Sequence, residues 1–426
     1  MSETRKTIAI CGAALLVVIV AWATTPRART PDVFSDRGQV FFPEFTDPNA
    51  AASLEVVEFD ETNGAPRALK VLNRNGRWTI PSQFDYPTDA RDRLAQSAAA
   101  IIAVRKDDFV SDNTADHRRL GVLDPLDVSL PDLKGRGTRV TIRGQNERLL
   151  AELIVGNTAE GRQGYRYVRV PGQKRVYLSR VGDLNVSADF ADWIERDVLQ
   201  VKREEIDDIA IRNYSVDERS GSVNMRESLR LQRKGEGAWT LVSNAGTEKV
   251  DIAAVNRVLA PLIGLRIVGV LPKPPGITAM LNRSAEGPRV SQEDVQDLAR
   301  KGFYAAADGQ LLSNEGEIIV HTVSGIFYTL RFGEVAAGTP TSAPPANDTS
   351  KAPAAKDAPP PRENRYLFIM AAYDPTSASP PGRSTEEGEQ RIALLRARFS
   401  PWYYIISAED FSKLRPSRAD LVKPRR

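Results

Sequence analysis

Leu69–Trp78 (LKVLNRNGRW) and Leu229–Trp239 (LRLQRKGEGAW) are two versions of one phrase. Each reads as an alternating strand, a Gly-containing turn and a Trp that leads the next strand. A short strand follows each Trp, Trp78-Thr79-Ile80 or Trp239-Thr240-Leu241, and then a polar loop. Asp89 and Asp251 come next, placed where a helix N-cap is expected. Beyond Asp89 stand Leu94, Ala98, Ile101 and Ile102; beyond Asp251 stand Val255, Val258, Leu259 and Leu262. Both sets have the helical spacing of one buried stripe. The Trp-to-Trp and Asp-to-Asp separations differ by a single residue, so the chain is read as two copies of one unit.

Further pairs extend the repeat. Leu153–Gly156 (LIVG) matches Leu330–Gly333 (LRFG), Tyr165–Val168 (YRYV) matches Asn364–Leu367 (NRYL), and Val176–Ser179 (VYLS) matches Tyr404–Ser407 (YIIS). Loops link these strands in the first copy at 157–164 and 171–175. In the second copy two Pro-rich stretches, 336–362 and 374–390, fall at the same places. Neither offers large apolar side chains, which predicts disordered or polyproline-like excursions. Hairpin tips tolerate such insertions because little backbone is buried there. The fold class expected is α+β: an N-terminal transmembrane helix, then two repeated, mainly antiparallel sheet-plus-helix units. The boundaries read as an anchor over 1–30, a first unit over 50–200, a second over 201–415 and a basic tail over 416–426.

The anchor rests on Ile8–Ala23 (IAICGAALLVVIVAWA), preceded by Arg5 and Lys6 and followed by Arg27 and Arg29. With its flanking threonines the helix reaches about 28 Å, close to a hydrocarbon core of about 30 Å. Ala21-Trp22-Ala23 also resembles a signal-peptide cleavage site, so a cleaved leader is the competing reading. Flanking charge is tied and does not orient the segment. Cys11 reads as a small buried hydrophobe.

Composition narrows the function. The 426 residues carry 58 Lys+Arg against 55 Asp+Glu, a balance without the basic stripe of a nucleic-acid binder. One Cys and two His exclude a disulfide scaffold and nearly all zinc sites. There is no phosphate loop, no G-x-S-x-G elbow and no H-E-x-x-H helix. His117, within DNTADHRRL, reads as a solvent-facing residue at a helix start. His321, within EIIVHTV, reads as a hydrogen-bonded sheet residue, and no His stands at the matching place in the first copy. Glu204, Glu205, Asp207 and Asp208 could pair as glycosidase carboxylates, but beside Lys202 and Arg203 they read as a solvated linker. Trp78 and Trp239 read as core anchors before sugar-stacking platforms. The tail Leu414–Arg426 reads as a frayed basic terminus, with contact to anionic lipid or a partner as the alternative. No catalytic, cofactor-binding or metal-ligating residue is assigned.

The order of these features resembles the bacterial domain-of-unknown-function family 4340. The resemblance rests on the N-terminal anchor, Trp78-Thr79-Ile80-Pro81, the helix from Asp89, Leu120–Pro125 (LGVLDP), Leu153–Gly156, Tyr165–Val168, Val176–Ser179 and Arg196–Leu199 (RDVL). It spans Leu69 to Leu199, with a fainter second pass in which no counterpart of LGVLDP is found near Gly302. It implies an anchored, extracytoplasmic protein of the kind encoded beside gliding-motility-type ABC transporters, with no catalytic residues to transfer. The leading expectation is therefore a non-catalytic envelope protein at the cytoplasmic membrane, held by residues 8–23, with its C-terminal domain outside. It would act as an accessory or scaffold of an ABC-type transport complex beside a multi-span, permease-like partner. The alternatives are an envelope carbohydrate- or peptide-binding module and a carboxylate-based glycan hydrolase.

Overall fold

Alternating apolar positions build two sheets of the same design. The structure, a computed structural model, describes residues 36–336, 363–377 and 385–422, apart from loop positions 63, 89–90, 131, 183, 185, 196, 218–219, 236, 244–245, 284–286 and 307–308. The first sheet comprises β1 (Ser53–Asp60), β2 (Ala65–Arg74), β3 (Arg77–Ile80), β4 (Tyr86–Pro87), β5 (Asp108–Ser111), β6 (Thr138–Arg143), β7 (Leu149–Thr158), β8 (Tyr165–Arg169) and β9 (Val176–Arg180). Helix α1 (Arg91–Ala103) lies between β4 and β5, and the single turn α2 (His117–Leu120) between β5 and β6. The strands run in the order β4-β3-β2-β1-β6-β7-β8-β9-β5 and every pairing is antiparallel.

The second sheet repeats that order. It comprises β10 (Ile206–Val216), β11 (Val223–Lys234), β12 (Ala238–Ser243), β13 (Gly246–Lys249) and β14 (Ile267–Pro272), with α3 (Ile252–Ile263) before β14. After β14 come α4 (Pro275–Leu281), α5 (Gln292–Arg300) and a small hairpin, β15 (Phe303–Ala305) with β16 (Leu311–Ser313). The sheet then continues with β17 (Glu317–Thr322), β18 (Ile326–Val335), β19 (Arg365–Tyr373) and β20 (Trp402–Ile406). Helix α6 (Thr385–Phe399) precedes β20, and α7 (Ala408–Leu414) and α8 (Arg418–Leu421) follow it. The order is β13-β12-β11-β10-β17-β18-β19-β20-β14, the first sheet's order strand for strand.

Register carries the equivalence to single residues. Val56 lies opposite Leu69 and Val140, and Val140 opposite Leu153. Ile211 lies opposite Leu229 and Ile318, and Ile318 opposite Leu330. Trp78 faces Asn73 as Trp239 faces Arg233. These residues align as the sequence phrases do. One pair needs correction: Val168 faces Tyr177 and Leu367 faces Tyr404, so Tyr177 rather than Val176 is the counterpart of Tyr404.

The expected helix stripes pack on the inner faces. Leu94, Ala98 and Ile101 of α1 are buried, Ile102 partly so, and Val255, Val258, Leu259 and Leu262 of α3 are all buried. Asp251 caps α3 by accepting the Ala253 N–H at 3.2 Å, while Asp89 lies outside the described residues. One apolar core runs through both halves. At the seam the Tyr86 ring meets Phe190 and Trp402 edge-on, at centroid distances of 5.7 and 5.1 Å.

No LGVLDP phrase occurs near Gly302, but the backbone turn at Leu120-Gly121-Val122 has a structural counterpart there. Gly121 and Gly302 both sit in the left-handed region, at φ of +70° and +81°. The backbone of β7 passes so close beneath the first turn that a Cβ on Gly156 would fall 2.5 Å from the Leu120 carbonyl. A Cβ on Gly333 would collide with the Lys301 carbonyl in the same way. Lys301-Gly302-Phe303 therefore does the job of Leu120-Gly121-Val122 with other side chains.

The excursions and the tail also differ from the reading. Ala336, just past the end of β18, is buried and donates its N–H to Asn364 O at 3.0 Å; 337–362 lie outside the described residues. The stretch 374–390 holds the short helical turn Pro375–Ser377 and the first turns of α6, whose Ile392, Leu395 and Phe399 enter the core. The tail docks: Leu421 is buried and its carbonyl accepts the Asp251 N–H at 2.8 Å. Among the described residues no helix is long and apolar enough to cross a membrane. The expected anchor over 1–30, with Cys11, lies outside them.

The outer face of the second sheet carries a satellite core of Ile277, Leu298, Phe303, Phe368 and Tyr403. Lys273 is buried beside it, donating to Phe399 O at 2.9 Å with its ammonium 3.8 Å from the Phe368 ring centre. Burial holds its pKa well below the ordinary 10.5. The unfolded chain therefore binds the extra proton, and stability rises with pH between the folded and unfolded values. Lys273→Met should abolish that rise and leave the variant at least as stable as the parent near about pH 7. Urea unfolding from about pH 7 to pH 10 checks it; parallel pH profiles for both proteins would refute the assignment.

Candidate functional site

The residues singled out for chemistry are mostly engaged in holding the sheets together. His321 Nδ1 lies 2.6 Å from Asp207 Oδ1, and the Phe327 ring lies 4.5 Å away. The pair bridges the register shift between Ile206 and Asp208 on β10. His321 Nε2 is buried, with no hydrogen-bond partner among the described residues. Asp208 takes Arg230 Nε at 2.9 Å, and burial raises its pKa. Glu205 Oε2 accepts the Lys202 N–H at 3.0 Å, closing a short 3₁₀ turn. The acidic run is thus the start of a strand and its lead-in, not a solvated linker.

His117 is the second correction. It is buried rather than solvent-facing, and its Nε2 donates to Lys174 O at 2.8 Å. Burial pushes its pKa below the usual 6.5. Trp239 is buried and Trp78 half-buried, both against the shared core, so neither offers a free stacking face.

The segment after Val181, which includes the RDVL phrase and closes the first unit, straps the halves together. Trp193 is 2% exposed, donates Nε1–H to Ser187 O at 2.8 Å and lies 4.6 Å beneath the Arg93 guanidinium. Asp189 takes Arg266 at 3.0 Å, Glu195 takes Arg398 at 2.8 Å, and Gln200 O takes Arg391 at 2.7 Å. In the RDVL stretch Val198 and Leu199 are buried, and Arg196 lies outside the described residues.

One surface feature combines rigidity with exposed apolar side chains: the loop joining α2 to β6. Arg136 clamps it from inside. Its Nη1 donates to Asp124 O at 2.9 Å and Asp127 O at 2.8 Å, its Nη2 to Leu130 O at 3.0 Å and its Nε to Asp132 O at 3.0 Å. The same guanidinium sits 4.3 Å over the Phe59 ring. Asp124 receives Arg139 at 2.8 Å, and Arg139 also holds Glu152 at 2.7 Å. Buried Arg169 donates to Val122 O at 2.9 Å from below. The Ser129 hydroxyl and N–H bind Asp127 and hold its carboxyl below the usual range.

Within this frame Leu126, Val128 and Leu133 are 43%, 91% and 49% exposed. These bonds brace the main chain of the loop's described residues, and the three apolar side chains project from it toward water. Among the described residues no group of three or more His, Cys, Asp and Glu is arranged to hold a metal.

Residues 78–283 match the profile of a family described as Domain of unknown function (DUF4340). The match takes in the clamped loop and the strap, and runs past the expected Leu199 through β10–β14 and α4. No curated protein and no solved structure matches the chain.

Proposed function

We propose that this chain, whose residues 78–283 belong to the DUF4340 family, is a non-catalytic, membrane-tethered envelope protein that docks against a multi-span membrane partner. The observation that carries the reading is the clamped loop with Leu126, Val128 and Leu133 exposed. Isolated exposed apolar residues are ordinary on soluble proteins. Three on one internally braced loop are an unusual concentration of exposed apolar side chains, and such concentrations mark contact sites when they are contiguous. The apolar run Ile8–Ala23 supplies a tether of spanning length. After it the chain offers neither a phosphate loop nor further long apolar runs, so it contributes neither energy nor a channel. An accessory role in an ABC-type transport complex fits this combination, as the family resemblance implies.

Long domains translocate largely regardless of flanking charge, so the tied Arg/Lys count is compatible with an outside location. A C-terminal alkaline phosphatase fusion to the full chain should be active and a green fluorescent protein fusion dark. The chain should stay with membranes through carbonate washing. The reverse fusion pattern, or a mature N-terminus at Thr24 with release from the membrane, would overturn the tethered, external reading.

A further inference from the structure

The second half carries a cleft walled by two helices, α4 and α6, that have no counterpart in the first. α4 ends at Leu281, followed by Asn282 and Arg283; α6 passes opposite, ending at Phe399 with Ser400 just beyond, and β19 forms the floor at Met370 and Ala372. In the first half the position of α6 is taken by the short loop after β8. The cleft encloses about 240 Å³, slightly under the about 300 Å³ at which drug-sized sites begin. Met280, Leu281, Met370 and Phe399 give it apolar walls, and Met280 stands 54% exposed at the mouth. Methionine walls adapt to flexible chains.

Two arginines, Arg283 and Arg396, line the same cleft. Among the described residues neither forms an ion pair, whereas Arg398, two positions on from Arg396, is paired with Glu195. Burial and the neighbouring Arg283 charge both push Arg396 below the ordinary arginine value, with Glu389 opposing more weakly. Like charges placed together over an apolar floor cost free energy unless something neutralises them. A carboxylate between two guanidinium groups does so, through charge-assisted hydrogen bonds.

We propose that this cleft binds a single-chain anionic amphiphile, its carboxylate held by Arg283 and Arg396 and its acyl chain lying against Met280, Met370 and Phe399. Charge complementarity fixes the head group, and the small apolar volume limits the tail to one short chain. The site is separate from the docking loop and stands whether or not that loop has a partner.

The test uses the full chain in membranes with a diazirine-bearing decanoate photoprobe, adducts being mapped by peptide mass spectrometry. Labelling is expected within 280–283, 369–372 and 392–400. Decanoate should compete it away, while decanol, which lacks the charge, and acetate, which lacks the chain, should not at equal concentration. The double variant Arg283→Gln, Arg396→Gln should label about tenfold less, the loss expected when charge-assisted bonds to the head group go. Should that variant fail to fold, the competition series on the parent chain still decides. Labelling spread over the surface, equal competition by decanol, or undiminished labelling of the folded double variant would overturn the proposal.

Discussion

Trp239→Ala should destabilise the protein by about 3–5 kcal/mol, the range for deleting a large buried aromatic, and Trp78→Ala by clearly less. The two residues occupy equivalent register positions, facing Arg233 and Asn73 on the preceding strand. They differ in burial: Trp239 is 8% exposed and Trp78 only half-buried. A cavity costs in proportion to the contacts that cannot re-form, and a half-exposed ring leaves fewer of them. Urea unfolding of both variants measures the difference. Equal losses would mean that local surroundings, rather than burial, set the cost at these positions. A loss below about 1 kcal/mol at Trp239 would deny it the role of core anchor.

Much of this architecture is legible in the sequence because the strands that set it are buried on one face. Leu69 and Val71, and Leu229 and Leu231, are buried while their neighbours are not, so alternation marks the phase of both copies. The one-residue slip came where that signal vanishes. Val176 to Ser179 and Tyr403 to Ile406 are buried at every position, and an unbroken apolar strand carries no phase. Helix α6 was hidden by its polar start, Thr385-Glu386-Glu387-Gly388, which continues the composition of the preceding loop. Gly388 lets the helix pass close to the Tyr373 ring, which a Cβ there would have to displace. His117 looked solvated among polar neighbours, and its partner, the Lys174 carbonyl, comes from a distant loop. The candidate site was the least legible part. LGVLDP stood out as a phrase, but Arg136 holds its loop through main-chain carbonyls, which leave no pattern of side-chain types to read.

Arg136→Ala is expected to loosen that loop while sparing the sheet. Four carbonyls lose one donor together, and bonds to charged groups contribute about 1.5–3 kcal/mol each, not additively. Residues 123–137 should then lose amide-exchange protection, with local opening easier by about 3 kcal/mol, while β6 and β7 keep theirs. Leu126, Val128 and Leu133 would remain exposed on a loosened main chain, so binding to the proposed partner should fall even though no apolar side chain has been removed. The most direct measurement places a photo-crosslinking amino acid at Val128 of the full chain in its native membranes, with Val223, an exposed apolar residue on β11, as the control position. The account predicts one discrete adduct with a multi-span membrane protein from position 128, none from 223, and about tenfold less adduct when Arg136→Ala is added. No adduct at 128, or the same adducts from both positions, would contradict it.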